Sequence, residues 1–308
     1  MKKLPLLVAI LLACYTLNAQ KNKKETIHSK VIPVTYHGIT GKLINYVEPP
    51  GTVNEVVKTQ KIGYHPKNDW GLNETVNPNA LPKGADKSLQ KHYTPTTLNK
   101  ALTYSFNGIT NFNVSPADPA VDVGPNHVVQ MTNGPSGSYI RIFNKSGTPI
   151  GTQVYFDNFM SMPGGLGDPI VLYDERADRW LLSEFSSSGG NMHVAISTTA
   201  DPTGTYYTYT FNSPGGFPDY PKYSIWDNEY IITANVGSSD IFALNRTSLL
   251  AGTAASAQMF TMGNFGTIGF QAATPVSLNG TTLPPAGAPA MVMRMRDDAW
   301  SGSATDAL

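Results

Sequence analysis

At 308 residues the chain has room for one large domain or two of ordinary size. Hydrophobic residues make up 41%, enough for a core, and charged residues only 14% against roughly 25% in an average soluble domain, which excludes a charge-rich disordered chain, a coiled coil and a long helical bundle. Lys+Arg and Asp+Glu both number 22, but residues 20–100 carry net +6 and residues 101–308 net −8, so the larger part is acidic and lacks the basic footprint that nucleic acid requires.

The chain begins Met1-Lys2-Lys3, followed by the apolar run from Leu4 to Ala13 and by Leu17-Asn18-Ala19-Gln20. A basic start, a short apolar stretch and a small residue at the exit predict a secretory signal peptide over residues 1–19, too short to span a bilayer. No later stretch is apolar enough for a membrane span, so the expected compartment is extracellular or the cell surface of a bacterium. The single cysteine, Cys14, follows Leu11-Leu12-Ala13 in a pattern that resembles a lipobox, which makes a lipid anchor the second reading. Cleavage after Ala19 is preferred and leaves a mature chain without disulfides, thiolate chemistry or cysteine–zinc sites.

Residues 20–100 are polar and rich in Lys, Asn, Thr and Pro. They predict an extended N-terminal arm that packs in part on the main domain, with short strands at Val31-Ile32-Pro33-Val34 and at residues 41–46 and open linker over 68–91. From residue 101 strand-like runs alternate with Gly, Pro, Asn and Asp turns. Residues 247–258 are the one modest helix candidate, shortened by Gly252.

The region from 101 repeats. Asp118-Pro119-Ala120-Val121 leads into the strand from His127 to Asn133, Asp168-Pro169-Ile170-Val171 into Trp180 to Phe185, and Asp219-Tyr220-Pro221-Lys222 into Tyr230 to Asn235. Thr274-Pro275-Val276 leads more loosely into Met291 to Arg294, and the prolines lie 50, 52 and 54 residues apart. Hairpins are expected at Gly124-Pro125-Asn126, at residues 174–178 and at Asp227-Asn228, and further strands at Tyr139 to Phe143 and Gln153 to Phe156. A period near 50 with several short strands per unit predicts an all-β fold, a β-propeller of three blades plus part of a fourth, in preference to a pair of sandwiches. Because a propeller must close, the expectation is that the chain is the N-terminal fragment of a longer protein.

Asp122-Val123-Gly124-Pro125-Asn126-His127, the run from Asp168 to Asp174 with Asp178-Arg179-Trp180, residues 197–207 and Asp219-Tyr220-Pro221-Lys222 together resemble a family of secreted, largely uncharacterised bacterial propeller-like proteins. The signal end Asn18-Ala19-Gln20 looks like those of Bacteroidetes. The resemblance spans about residues 100–300 and implies a secreted propeller without an agreed activity.

Asp118, Asp168 and Asp219 recur at what reads as one repeat position, where inner strands would place them around a central funnel. Glycoside hydrolysis needs two carboxyls, one donating a proton and one acting as base or nucleophile. The competing reading, preferred at this level, is that Asp before Pro is a turn former. Glu184 is a further acid candidate on a partly buried face. Asp174, Glu175 and Asp178 crowd one hairpin and could chelate calcium, but the spacing matches no defined loop and a solvated turn neutralised by Arg176 and Arg179 is preferred; no other cofactor is expected. Tyr207, Tyr209 and Trp226 could stack on sugars, although aromatics between blades are more often core. His127 and His193 stand outside any ligand cluster, and no nucleophile elbow or phosphate loop is present. The leading expectation is an extracellular recognition or scaffold module for a glycan or protein partner. The alternative is a glycoside hydrolase or polysaccharide lyase using Asp168 and Asp219.

Overall fold

The computed structural model describes residues 29–49, 103–110, 114–186, 190–236, 240–262, 273–280 and 282–294. The signal segment with Cys14, the stretch 68–91 and the tail 301–308 lie outside the described residues. The chain is mostly β, with two short helices and one 3₁₀ turn among the described residues.

Three antiparallel four-stranded units follow one another. The first comprises β2 (Ala120–Val123), β3 (His127–Gly134), β4 (Gly137–Asn144) and β5 (Pro149–Tyr155). The second comprises β6 (Gly165–Asp174), β7 (Arg179–Ser186), β8 (Asn191–Ser197) and β9 (Tyr206–Asn212). The third comprises β10 (Asp219–Ile225), β11 (Glu229–Asn235), β12 (Asp240–Asn245) and β13 (Ala255–Thr261). A pair, β14 (Thr274–Pro275) and β15 (Val292–Met293), opens a further unit. The first strands of the units neighbour one another: β2 packs on β6, β6 on β10 and β10 on β14.

The second unit is sandwiched between the first and the third, so its strands bury both faces. On β7, Trp180 and Leu182 point into the core shared with the first unit, among Val129, Met131, Ile140 and Phe156. Leu181 and Phe185 point the other way, into the core shared with the third unit, among Tyr223, Ile232 and Phe242. Period-two alternation thus serves two cores at once, which is why these strands read as nearly continuous apolar runs. At about 25 cal/mol per Å² of apolar surface, a buried aromatic contributes several kcal/mol, and Trp180, Tyr206, Tyr209, Tyr230 and Phe242 are all essentially inaccessible.

The N-terminal segment is part of this architecture. β1 (Ser29–Ile39) pairs antiparallel with β13 through residues 29–34 and with β9 through residues 34–39. It joins the outer edges of the second and third units into one nine-stranded sheet whose end strands, β10 and β6, touch, so the sheet nearly closes. Ile32 and Val34 point into the enclosed core. Residues 43–45, expected as strand, form the 3₁₀ turn, with Leu43 buried between Tyr46 and the first core. Glu48 then accepts hydrogen bonds from the Tyr155 N–H and from Asn158 Nδ2, the latter at 2.9 Å, fastening the segment to helix α1 (Phe156–Met160). That helix replaces the end of the strand expected at 153–156. Helix α2 (Arg246–Ala251) is shorter than the 247–258 candidate: Gly252 closes it in a left-handed conformation, and residues 255–258 belong to β13.

Candidate active site

The site is built at the starts of the inner strands. The residue before the first proline of each unit adopts a left-handed backbone: Asp118 at φ 38°, Asp168 at φ 49° and Tyr220 at φ 54°. Aspartate tolerates this region by bonding to nearby backbone; for a bulky tyrosine it is an outlier. The three-fold aspartate repeat expected from the sequence is therefore corrected. Tyr220 occupies the third position, and Asp219 precedes it by one residue, paired across the strand with Asn235.

Asn133, at the end of β3, connects the first two units. Its Nδ2 donates to Asp118 Oδ2 at 2.9 Å and to the Pro116 carbonyl at 3.0 Å, and its Oδ1 accepts the Asp168 N–H at 2.8 Å. β6 is irregular in register here, between Gly165 and Ile170. The glycines are required by close approach: a Cβ on Gly167 would stand 2.3 Å from Asn133 Oδ1, and one on Gly165 would stand 2.2 Å from Glu184 Oε1. The bulge places Asp168 close to Asp118, with Asn133 bonded to both, so the charge of Asp118 acts on the Asp168 carboxyl.

Asp168 is half-buried, and its carboxyl is pushed up to about 6. Burial is the largest cause, followed by the charge of Asp118, the hydrogen bond to it and the charge of Asp219; Lys222 acts in the opposite sense. The Lys222 ammonium is itself pushed down by burial and held up by Asp168, Asp118 and Asp219. It sits 3.5 Å from the centre of the Tyr220 ring. Asp168 therefore keeps its proton into the mildly acidic range, beside two further aspartates and one ammonium. Such a set can donate a proton and accept one.

The remaining candidates lie elsewhere. Glu184 is fully buried at the joint between the first and second units, beside Ser138 and the Gly167 N–H, and neither oxygen makes a hydrogen bond of normal geometry. The face expected to be partly buried is thus fully buried at Glu184, which is walled in by Gly165 and Gly137. Tyr209 is buried with its hydroxyl donating to the Leu249 carbonyl at 3.1 Å. Trp226 is buried with Nε1 donating to the Ala288 carbonyl at 3.1 Å, and Tyr207 is half-buried against Gly252 and Tyr36. These aromatics are core, not a sugar platform. Asp174 is likewise not in a solvated turn. Only 1% exposed, it takes Arg246 Nε at 2.6 Å and Nη2 at 2.9 Å, with the Tyr230 hydroxyl at 2.9 Å, and this pairing holds its carboxyl below the usual range against the opposing effect of burial. Arg176 pairs with Asp227 at 3.0 Å instead of neutralising the hairpin. Among the described residues no group of three or more His, Cys, Asp or Glu is placed to hold a metal ion, and this includes Asp174, Glu175 and Asp178. His193 is buried, and its imidazole is pushed down to about 4 by burial and by His37.

A groove of about 660 Å³ runs beside Trp226 and is lined by Ile231, Ile241, Phe260 and Pro285; a cavity of about 120 Å³ lies at the opposite ends of the inner strands, near Asp122, Tyr173 and Ile225. The carboxyl cluster lines neither. No helix among the described residues is long and apolar enough to cross a membrane.

No protein-family model matches the chain, and a comparison with curated proteins finds no match. Among solved structures the chain is similar to an alpha-L-arabinofuranosidase from Podospora anserina in complex with cellotriose, at 18% identity and a TM-score of 0.35, over 53% of this chain and 56% of that one. The chain thus spans little more than half the length of that enzyme.

Proposed function

We propose that the chain is a secreted protein of β-propeller type whose carboxyl cluster cleaves a glycan by acid–base hydrolysis. What carries this reading is the gathering of Asp118, Asp168 and Asp219 around Lys222, with the Asp168 carboxyl raised to about 6 by burial and by its acidic neighbours. It favours the hydrolase alternative over a binding module, because a turn-forming aspartate needs no second carboxyl beside it. In the propeller reading the three units are blades, and β14 and β15 open a fourth. Asp118 neighbours Asp168, so the two are assigned to one side of the glycosidic bond. Asp168 therefore serves as proton donor, with Asp118 as the partner that keeps the proton on it. Asp219 serves as the second carboxylate. The donor's proton passes to the glycosidic oxygen as the bond to the anomeric carbon breaks; Asp219 takes a proton from the incoming water or attacks that carbon itself. A lyase is disfavoured, since its uronate substrate must bring a further carboxylate towards three aspartates opposed by one ammonium.

The test is release of reducing ends from a polysaccharide panel. Wild-type protein should release them, and Asp168→Asn and Asp219→Asn, with unchanged circular dichroism, should each lose about 10²-fold or more. Binding without release, or release that survives both substitutions, would return the protein to the class of recognition modules.

A further inference from the structure

Tyr220 stands where the first two units carry Asp118 and Asp168, at the same left-handed position before a proline and at the same end of neighbouring strands. Lys222 links the three positions: its ammonium lies over the Tyr220 ring and interacts with Asp168, Asp118 and Asp219. A tyrosine there carries backbone strain without the compensation of burial, since it remains 45% exposed. Lys222, 3.5 Å from the ring centre, holds the ring in place. Phe217, also 45% exposed, stacks edge-on against Phe185, and its carbonyl accepts the Asp219 N–H at 3.0 Å, so a second exposed aromatic borders the same carboxylates.

We infer that Tyr220 is the substrate-positioning platform of this site: its ring stacks on the apolar face of a neutral sugar and holds that sugar beside the Asp118–Asp168 pair. This rests on the glycan reading given above. The sign of the cluster sets the substrate class. Asp118, Asp168 and Asp219 outnumber Lys222 even when Asp168 keeps its proton, so a uronate is repelled and a neutral sugar accepted.

Binding separates the two claims, because it can be measured without turnover. Maltohexaose, xylohexaose and mannohexaose serve as neutral probes and trigalacturonate as the acidic one, each titrated by calorimetry. The wild type and folded Asp168→Asn should bind at least one neutral probe, and trigalacturonate should bind at least about tenfold more weakly. Tyr220→Gly, which suits the left-handed backbone and keeps the fold, should bind that probe about tenfold more weakly, whereas Tyr220→Phe and Tyr220→Trp should retain binding. Unchanged binding by Tyr220→Gly, stronger binding of trigalacturonate, or no binding of any neutral probe would each overturn the inference. Binding that depends on Tyr220 with no hydrolysis would uphold the platform and reject the enzyme; hydrolysis indifferent to Tyr220 would do the reverse.

Discussion

Replacing Asp118 with asparagine removes a negative charge from beside Asp168 and keeps its shape. Asp118 is one of the causes that raise the Asp168 carboxyl to about 6, so the substitution should lower it. The proton donor is then lost at a lower pH, and the alkaline limb of kcat/KM, expected near 6 in the wild type, should move down. Lys222→Met should move it up, because Lys222 is the group acting against the rise. Glu184 makes a separate prediction on stability. Its folded-state carboxyl is raised well above the ordinary 4.5 by burial first and then by Asp157. A raised carboxyl binds more protons folded than unfolded, so stability is full below 4.5 and falls as pH rises towards the folded value. Glu184→Gln should remove that slope in urea unfolding followed from pH 4 to 9. A wild-type stability that rises over this window would contradict a buried neutral Glu184. At this scale the sequence shows Asp118 and Asp168, because Asp-Pro marks a strand start. It hides Asn133, Lys222 and Tyr220, whose roles depend on which strands become neighbours. The one-residue offset between Asp219 and its proline was visible, and it is the signal that could have removed Asp219 from the repeat and put Tyr220 there.

Among the elements, β1 and the start of β6 matter most. β1 supplies pairing to two edges at once, and without it β9 and β13 would each expose an open ladder. Ile32→Ala should cost about 2–4 kcal/mol in denaturant unfolding, since Ile32 is 3% exposed within the enclosed core; a loss below about 0.5 kcal/mol would mean that β1 is a loosely held edge. The Asp174–Arg246 pair clamps the second unit to the third. Arg246→Met should cost about 3–5 kcal/mol at pH 7, because it strands a buried carboxylate. The strands and hairpins were legible from alternation and turn residues. The short helix α1 was not, because Phe156, Phe159 and Met160 fit a buried strand as well as one helical turn. The burial of Tyr209 and Trp226 agrees with the core reading preferred from the sequence, although which neighbouring unit covers each ring was not visible there.

For the whole molecule, the repeat near 50 residues marks out units that the structure shows as successive groups of four antiparallel strands, the second and third joined by β1 into one sheet. What the period cannot show is that identical backbone positions in neighbouring units carry different side chains, to which the proposal gives different roles: Asp168 as proton donor, Asp118 as its partner and Tyr220 as platform. That division of labour is the core of the account. Its most direct test is the titration of the Asp168 carboxyl carbon by nuclear magnetic resonance in labelled wild-type and Asp118→Asn proteins. The account predicts a wild-type midpoint near 6 that falls when Asp118 is neutralised. A midpoint at the ordinary 3.8, indifferent to Asp118, would mean that Asp168 gives up its proton like any exposed carboxyl and that the cluster is no acid catalyst.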